Sequence, residues 1–105
     1  MTTPKGKYTI RYLPIAQQDL EEIFHYIKAD RPSAALSLLT RFHEAISQLA
    51  DYPQLGVLAK DQRLARIGYR SLVVDGYLVF YVIKKRTVQI RRVIHSARRY
   101  SFLLT

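Results

Sequence analysis

The apolar positions along this chain change their period from segment to segment, and each period predicts an element. In Lys7-Tyr8-Thr9-Ile10-Arg11-Tyr12-Leu13 they alternate, with Tyr8, Ile10 and Tyr12 on one face, which predicts a strand that Pro14 ends. From Ala16 the period becomes helical. Ala16, Leu20, Ile23, Phe24 and Ile27 make one stripe, while Asp19, Glu21 and Glu22 place negative charge near the positive end of the helix dipole. Asp30-Arg31-Pro32-Ser33 interrupts the pattern and offers a cap. A second helical stripe follows, formed by Leu38, Leu39, Phe42, Ala45, Ile46 and Leu49, and it runs to Tyr52-Pro53. The short connection makes the two helices close neighbours.

Residues 52–66 contain Pro53, Gly56, Lys60 and Arg63 and hold no sustained period, so they read as a loop. Alternation then returns for the rest of the chain. Tyr69–Val74 and Tyr77–Ile83 flank Asp75-Gly76, a pair suited to a type I′ turn because both central residues need positive φ. A second turn at Lys84-Lys85-Arg86 leads into Thr87–His95, completing a three-stranded meander. Tyr77–Ile83 is apolar on both faces, as befits a central strand covered on both sides. In the last strand Val88, Ile90 and Ile94 point one way with Arg92 among them, and Gln89, Arg91, Val93 and His95 point the other. If the helices cover the first face, Arg91 and His95 look outward beside Arg70, and the tail Arg98-Arg99-Tyr100 closes a basic concavity over the same end. The class predicted is α+β, with β-α-α-β-β-β order, a helical hairpin on an antiparallel sheet and a short C-terminal tail or helix. A chain of 105 residues that is 49% apolar makes this one domain over residues 1–105.

Charge changes the picture, because it is segregated. Residues 1–62 carry seven Lys/Arg and seven Asp/Glu, whereas residues 63–105 carry ten Lys/Arg against the single acid Asp75, so the formal excess of +9 sits in the second part. A one-signed surface of this kind attracts polyanions or acidic protein partners. Cysteine is absent, which excludes a disulfide framework and thiol catalysis and leaves no soft metal site, so neither metal nor cofactor is expected. No apolar run approaches the ~20 residues of a membrane span, and the expected location is the cytoplasm.

The ordered motifs carry a resemblance. Asp19-Leu20-Glu21-Glu22-Ile23, Ala45-Ile46 with Leu49, Pro53-x-x-Gly56, Tyr69-Arg70-Ser71-Leu72, Tyr77-x-x-Phe80-Tyr81 and Arg92-Val93-Ile94-His95 fall in the register of the RelE/ParE superfamily of bacterial type II toxins, closest to its ParE branch. The match covers nearly the whole chain. The resemblance implies a cognate antitoxin protein that wraps the toxin, with operator DNA reached indirectly through that antitoxin.

Two biochemistries occur on this fold, so the resemblance leaves the activity open. A ParE-like protein poisons DNA gyrase by binding and hydrolyses nothing. A RelE-like nuclease cleaves mRNA on the ribosome, where the 2′-hydroxyl attacks the adjacent phosphate with help from a base, an acid and cations. For that alternative His95 and Tyr100 are the proton-exchange candidates, and Arg70, Arg91, Arg98, Arg99, Lys60, Arg63 and Arg66 are the target or phosphate contacts. The catalytic set is incomplete, since Val73 falls near the place of a phosphate-clamping arginine and Tyr100 precedes the place of the nuclease tyrosine. An inactive member that only binds its antitoxin is the third reading. Blander roles compete at single residues: Arg92 pairs with an acid of the first helix such as Glu21 or Glu22, Arg70 anchors the hairpin, and His95 is a surface histidine. An acidic amphipathic antitoxin helix is expected in a groove bordered by Leu20, Phe24 and Leu39, with Phe102 and Leu103 docking near it.

Overall fold

Five strands, β1 (Thr9–Tyr12), β2 (Val57–Leu58), β3 (Arg70–Val74), β4 (Tyr77–Lys84) and β5 (Thr87–His95), form one sheet in the spatial order β1-β5-β4-β3-β2. The helices are α1 (Pro14–Lys28), α2 (Pro32–Ser47) and the short α3 (Gln62–Arg66). The computed structural model describes residues 7–97. The expected α+β architecture is present, with two additions inside the stretch read as a loop, namely β2 and α3. β1 runs parallel to β5, and the other pairs are antiparallel, so the sheet is mixed.

Both long helices begin on proline, at the first helical position where a missing N–H costs nothing. Neither has a side-chain cap, so Ser33 lies inside α2 instead of capping it. Because α1 begins at Pro14, Asp19 lies beyond the first turn. The helices, with the 3-10 turn Gln48–Ala50 that follows α2, bury Ala16, Leu38, Phe42, Ile46 and Leu49 against Val74, Val79, Tyr81, Val88, Ile90 and Val93 of the sheet. Alternation along β4 sends Phe80 and Val82 to the opposite face, where Ala59 and Leu64 cover them together with Tyr69 and Ile94. Leu64 is fully buried and contributes about 2 kcal/mol of apolar burial. A helix as short as α3 holds its place through that side chain and through Asp61, which caps it by accepting from the N–H groups of Arg63 and Leu64.

The β3–β4 hairpin closes as expected, with Asp75 at φ 49° and Gly76 at φ 80°. Arg41 of α2 pairs with Asp75, which fixes the turn to the helical layer. The β4–β5 ladder departs from regular alternation: Tyr81 opposes Ile90 and Phe80 opposes Arg92, leaving Arg91 as an extra residue. Beyond this bulge the faces exchange, so Val93 joins the helix-facing core and Ile94 the opposite cluster. Arg91 and His95 therefore do not share a face. His95 follows Tyr77 toward the helices, and Arg91 lies against Tyr69 on the other side.

Candidate functional site

Where β1 turns into α1, β5 loses its neighbour. Leu13 donates its N–H to the Ile90 carbonyl at 3.0 Å, and after that the outer edge of β5 pairs with no strand among the described residues. The Asp19 carboxylate takes that place. Its Oδ2 accepts from the Val93 N–H at 2.9 Å and from Arg92 Nε at 2.8 Å, and its Oδ1 accepts from Arg92 Nη2 at 3.0 Å. The fork-shaped pair is well shielded, and its hydrogen bonds to the carboxylate raise the Arg92 pKa although burial opposes this. Arg92 is thus a structural cation paired with an acid of the first helix, as its bland reading had it, and the hydrogen-bonded acid is Asp19.

A second buried network holds the 53–58 segment. The Tyr81 hydroxyl donates to the Pro53 carbonyl at 2.7 Å and accepts from the Gly56 N–H at 2.9 Å, while Arg70 Nη1 donates to the Gly56 carbonyl at 2.7 Å. Burial raises the Tyr81 pKa, with hydrogen bonding from Gly56 and the charge of Arg70 working against it, so the hydroxyl stays protonated and able to donate. Tyr81→Phe leaves the Gly56 N–H and the Pro53 carbonyl unpaired; the expected loss is about 1–3 kcal/mol in denaturant unfolding, and a change under 0.5 kcal/mol would contradict the network.

The remaining predicted site residues divide into separate groups. His95 is exposed; its Nδ1 accepts from the Ala97 N–H at 3.2 Å and its ring lies edge-on to Tyr77, which in turn touches Phe42. Arg70 pairs with Tyr81 and His95 with Tyr77, so the two are displaced by four residues, about 13 Å, along β4 and flank it on opposite sides. They do not converge. Arg91 donates from Nη2 to Gln89 at 3.1 Å, and its guanidinium lies 5.8 Å from the Tyr69 ring centroid. Its Nε is a buried donor without a hydrogen-bond partner. Lys60, Arg63 and Arg66 are exposed on or beside α3, with Arg63 held by Asp61. That hydrogen bond is the main reason the Asp61 pKa is lowered and the Arg63 pKa raised. Arg98, Arg99, Tyr100, Phe102 and Leu103 lie outside the described residues.

The helical layer carries the predicted groove in part. Leu20 and Leu39 line a depression of about 370 Å³ with Tyr12, Phe42 and the α2 residues Thr40 and His43. Leu39 is 41% exposed there. Phe24, one turn further along α1, does not line it; its ring meets His25 and the Lys28 ammonium instead. Among the described residues no cluster of His, Cys, Asp and Glu suits a metal ion, and no helix is long and apolar enough to cross a membrane.

This architecture, a helical hairpin on a mixed sheet with its last three strands in a meander, defines a class that comparison with known proteins identifies. Residues 10–100 match the family described as the ParE toxin of the type II toxin-antitoxin system parDE. Toxin RelE2 of Caulobacter vibrioides is 37% identical over 84 residues, covering 79% of this chain and 89% of that one. Y4kP of Sinorhizobium fredii is 35% identical and covers 99% of this chain and 100% of that protein. Among solved structures, the toxin-antitoxin complex RelBE2 of Mycobacterium tuberculosis contains a chain with a TM-score of 0.59 and 27% identity, with 85% of this chain and 98% of that one covered. The chromosomal ParDE system of P. aeruginosa contains a chain with a TM-score of 0.71 at 18% identity, covering 85% and 96%. The chain belongs to the ParE toxin family, within the RelE/ParE superfamily. It is the toxin of a type II toxin-antitoxin module.

Proposed function

We propose that this toxin arrests growth by binding DNA gyrase, without a hydrolytic step of its own, and that a cognate antitoxin neutralises it through an acidic amphipathic helix laid against Leu20 and Leu39. The observation that supports a binding protein over a nuclease is the dispersal of the proton-transfer and phosphate-holding candidates. Among the described candidates, Arg70 is committed to the Gly56 carbonyl, Arg91 lies against Gln89 and Tyr69, and His95 stands apart from both. General acid-base cleavage needs such groups within hydrogen-bond reach of one phosphate. A binding toxin needs only a surface of suitable sign, which the +9 chain supplies.

Purified toxin freed of antitoxin, tested in parallel for gyrase supercoiling with trapped DNA breaks and for mRNA cleavage on programmed ribosomes, separates the readings. Blocked supercoiling with accumulated breaks and intact mRNA is expected. Codon-linked mRNA cuts with unaffected gyrase would overturn the proposal in favour of the ribosome-dependent nuclease, and silence in both assays would favour an inactive antitoxin-binding member. The antitoxin half of the proposal has its own test. Leu39→Asp puts a charge into the groove and is expected to weaken antitoxin binding at least ~30-fold, as for an interface hot spot, while gyrase inhibition persists. Unchanged antitoxin affinity in that variant would remove the groove from the interface.

A further inference from the structure

The nine residues of β5 put about 27 Å between His95 and the opposite end of the sheet, where a second aromatic and basic site is gathered. Lys7 and Tyr8, just ahead of β1, and the 51–55 segment line a notch of about 590 Å³. Its walls are fixed by backbone hydrogen bonds: the Tyr8 N–H donates to the Ala50 carbonyl at 3.0 Å, the Thr9 N–H to the Arg86 carbonyl at 2.8 Å, and the Tyr52 N–H to the Gln48 carbonyl at 2.9 Å. The Arg86 guanidinium lies 5.5 Å from the Tyr8 ring centroid. Tyr52 is 67% exposed, so its ring presents an aromatic face to solvent.

The β4–β5 turn beside this notch is built at a conformational cost. Lys85 has φ 56°, in the left-handed region that Asn or Gly occupies with least strain. A lysine held there places a cation where Gly, Asn or Asp fits with less strain, and Lys84 and Arg86 flank it, all three exposed. Strain of this kind is a pointer from structure to function. Lys7 is the cation and Asp51 the acid among the notch's lining residues; Arg86 reaches it through the Tyr8 ring, and Lys85 precedes Arg86 in the adjoining turn.

We propose that this notch binds a single-stranded nucleic-acid segment, one base stacked on Tyr52 and its phosphates held by Lys7, Arg86 and the neighbouring Lys85. Exposed aromatic faces beside a run of cations are what unpaired strands require, because every base has a π-face and every linkage a charge. A duplex hides its base faces, and an acidic peptide would use the cations but gain little from the tyrosine. The inference stands whichever target the toxin has.

The test is fluorescence anisotropy of a labelled single strand of about 12 nucleotides, as RNA and as DNA, titrated with the full-length chain at several salt concentrations. Tyr52→Ala is expected to weaken strand binding about ten-fold or more, with the salt slope unchanged and duplex binding unaffected. Tyr52→Phe restores the affinity. Lys85→Asn is expected to reduce the slope of log K against log salt by about 0.7 while raising the melting temperature, opposite signs that a purely structural lysine would not give. A preference for RNA or for DNA, or none, names the source of the strand within the same chemistry. Wild-type strand affinity in Tyr52→Ala, an equal loss on duplex, or Tyr52-dependent binding of poly-glutamate in place of the strand would each overturn the proposal. Tyr52 is exposed, so a melting curve unchanged in Tyr52→Ala is the control for folding.

Discussion

Asp19→Ala is expected to cost about 3–5 kcal/mol of folding stability, because it takes the forked carboxylate away from a shielded guanidinium and leaves the Val93 N–H without its acceptor. The side chains of Asp19 and Arg92 are only 11% and 17% exposed, so water cannot replace the carboxylate freely. For a chain of this size the loss corresponds to a melting temperature lower by on the order of 15 °C. The mechanism makes a second, quantitative demand. If the penalty comes mainly from the loss of this ion pair, then Asp19→Leu combined with Arg92→Met recovers most of it, since apolar pairs of similar volume replace buried ion pairs at little cost. The residue left over is the Val93 N–H, worth about 1–2 kcal/mol. Urea unfolding of the two single variants and the double variant reads all three quantities, and an Asp19→Ala loss below 1 kcal/mol would mean that the carboxylate does not close the sheet edge.

Gly56→Ala is expected to cost about 2–4 kcal/mol, through crowding and not through backbone conformation. A Cβ at this position would lie 2.7 Å from the Ser71 carbonyl oxygen, 2.7 Å from the Tyr81 hydroxyl and 2.8 Å from Tyr81 Cε1. The Ser71 oxygen belongs to β3 and Tyr81 is fully buried, so neither can yield and the 53–58 segment must move outward. That movement breaks the hydrogen bonds to Tyr81 and Arg70 together. Because Gly56→Ala and Tyr81→Phe act on the same oxygen, their combined effect should fall well short of their sum. Additive losses would show that the glycine is needed for some other reason.

The periodic elements were legible because burial leaves a period. Both helical stripes, the Asp75-Gly76 turn and the two-faced β4 follow directly from which positions are apolar. α3 left no period, since five residues make little more than one turn; its signals were the Asp61 cap and the lone anchor Leu64. The bulge at Arg91 was hidden because Arg91-Arg92 reads the same in either register, and the misplacement of Arg91 relative to His95 followed from it. Asp19 was readable in hindsight. It falls three residues after Ala16 and four before Ile23, on the buried stripe itself, and a carboxylate there demands a cation, for which Arg92 among the apolar positions of β5 is the match. Leu20 and Leu39 line one depression because they sit on facing helices, whereas Phe24 lies against Lys28.

The parallel pairing of β1 with β5 has a bearing on how the toxin comes into being. Thr9 meets Thr87 and Tyr12 meets Ile90, so the strand synthesised first waits for the one synthesised last, and Asp19 waits with it for Arg92 and Val93. During translation the two helices can form from local contacts alone, but the sheet they need to cover stays open until nearly the whole chain has emerged. A partly made chain therefore exposes the apolar face of its helical hairpin, the same face that carries Leu38, Phe42 and Ile46 in the finished core. Closure of this fold is therefore tied to the arrival of β5, the last of the described strands.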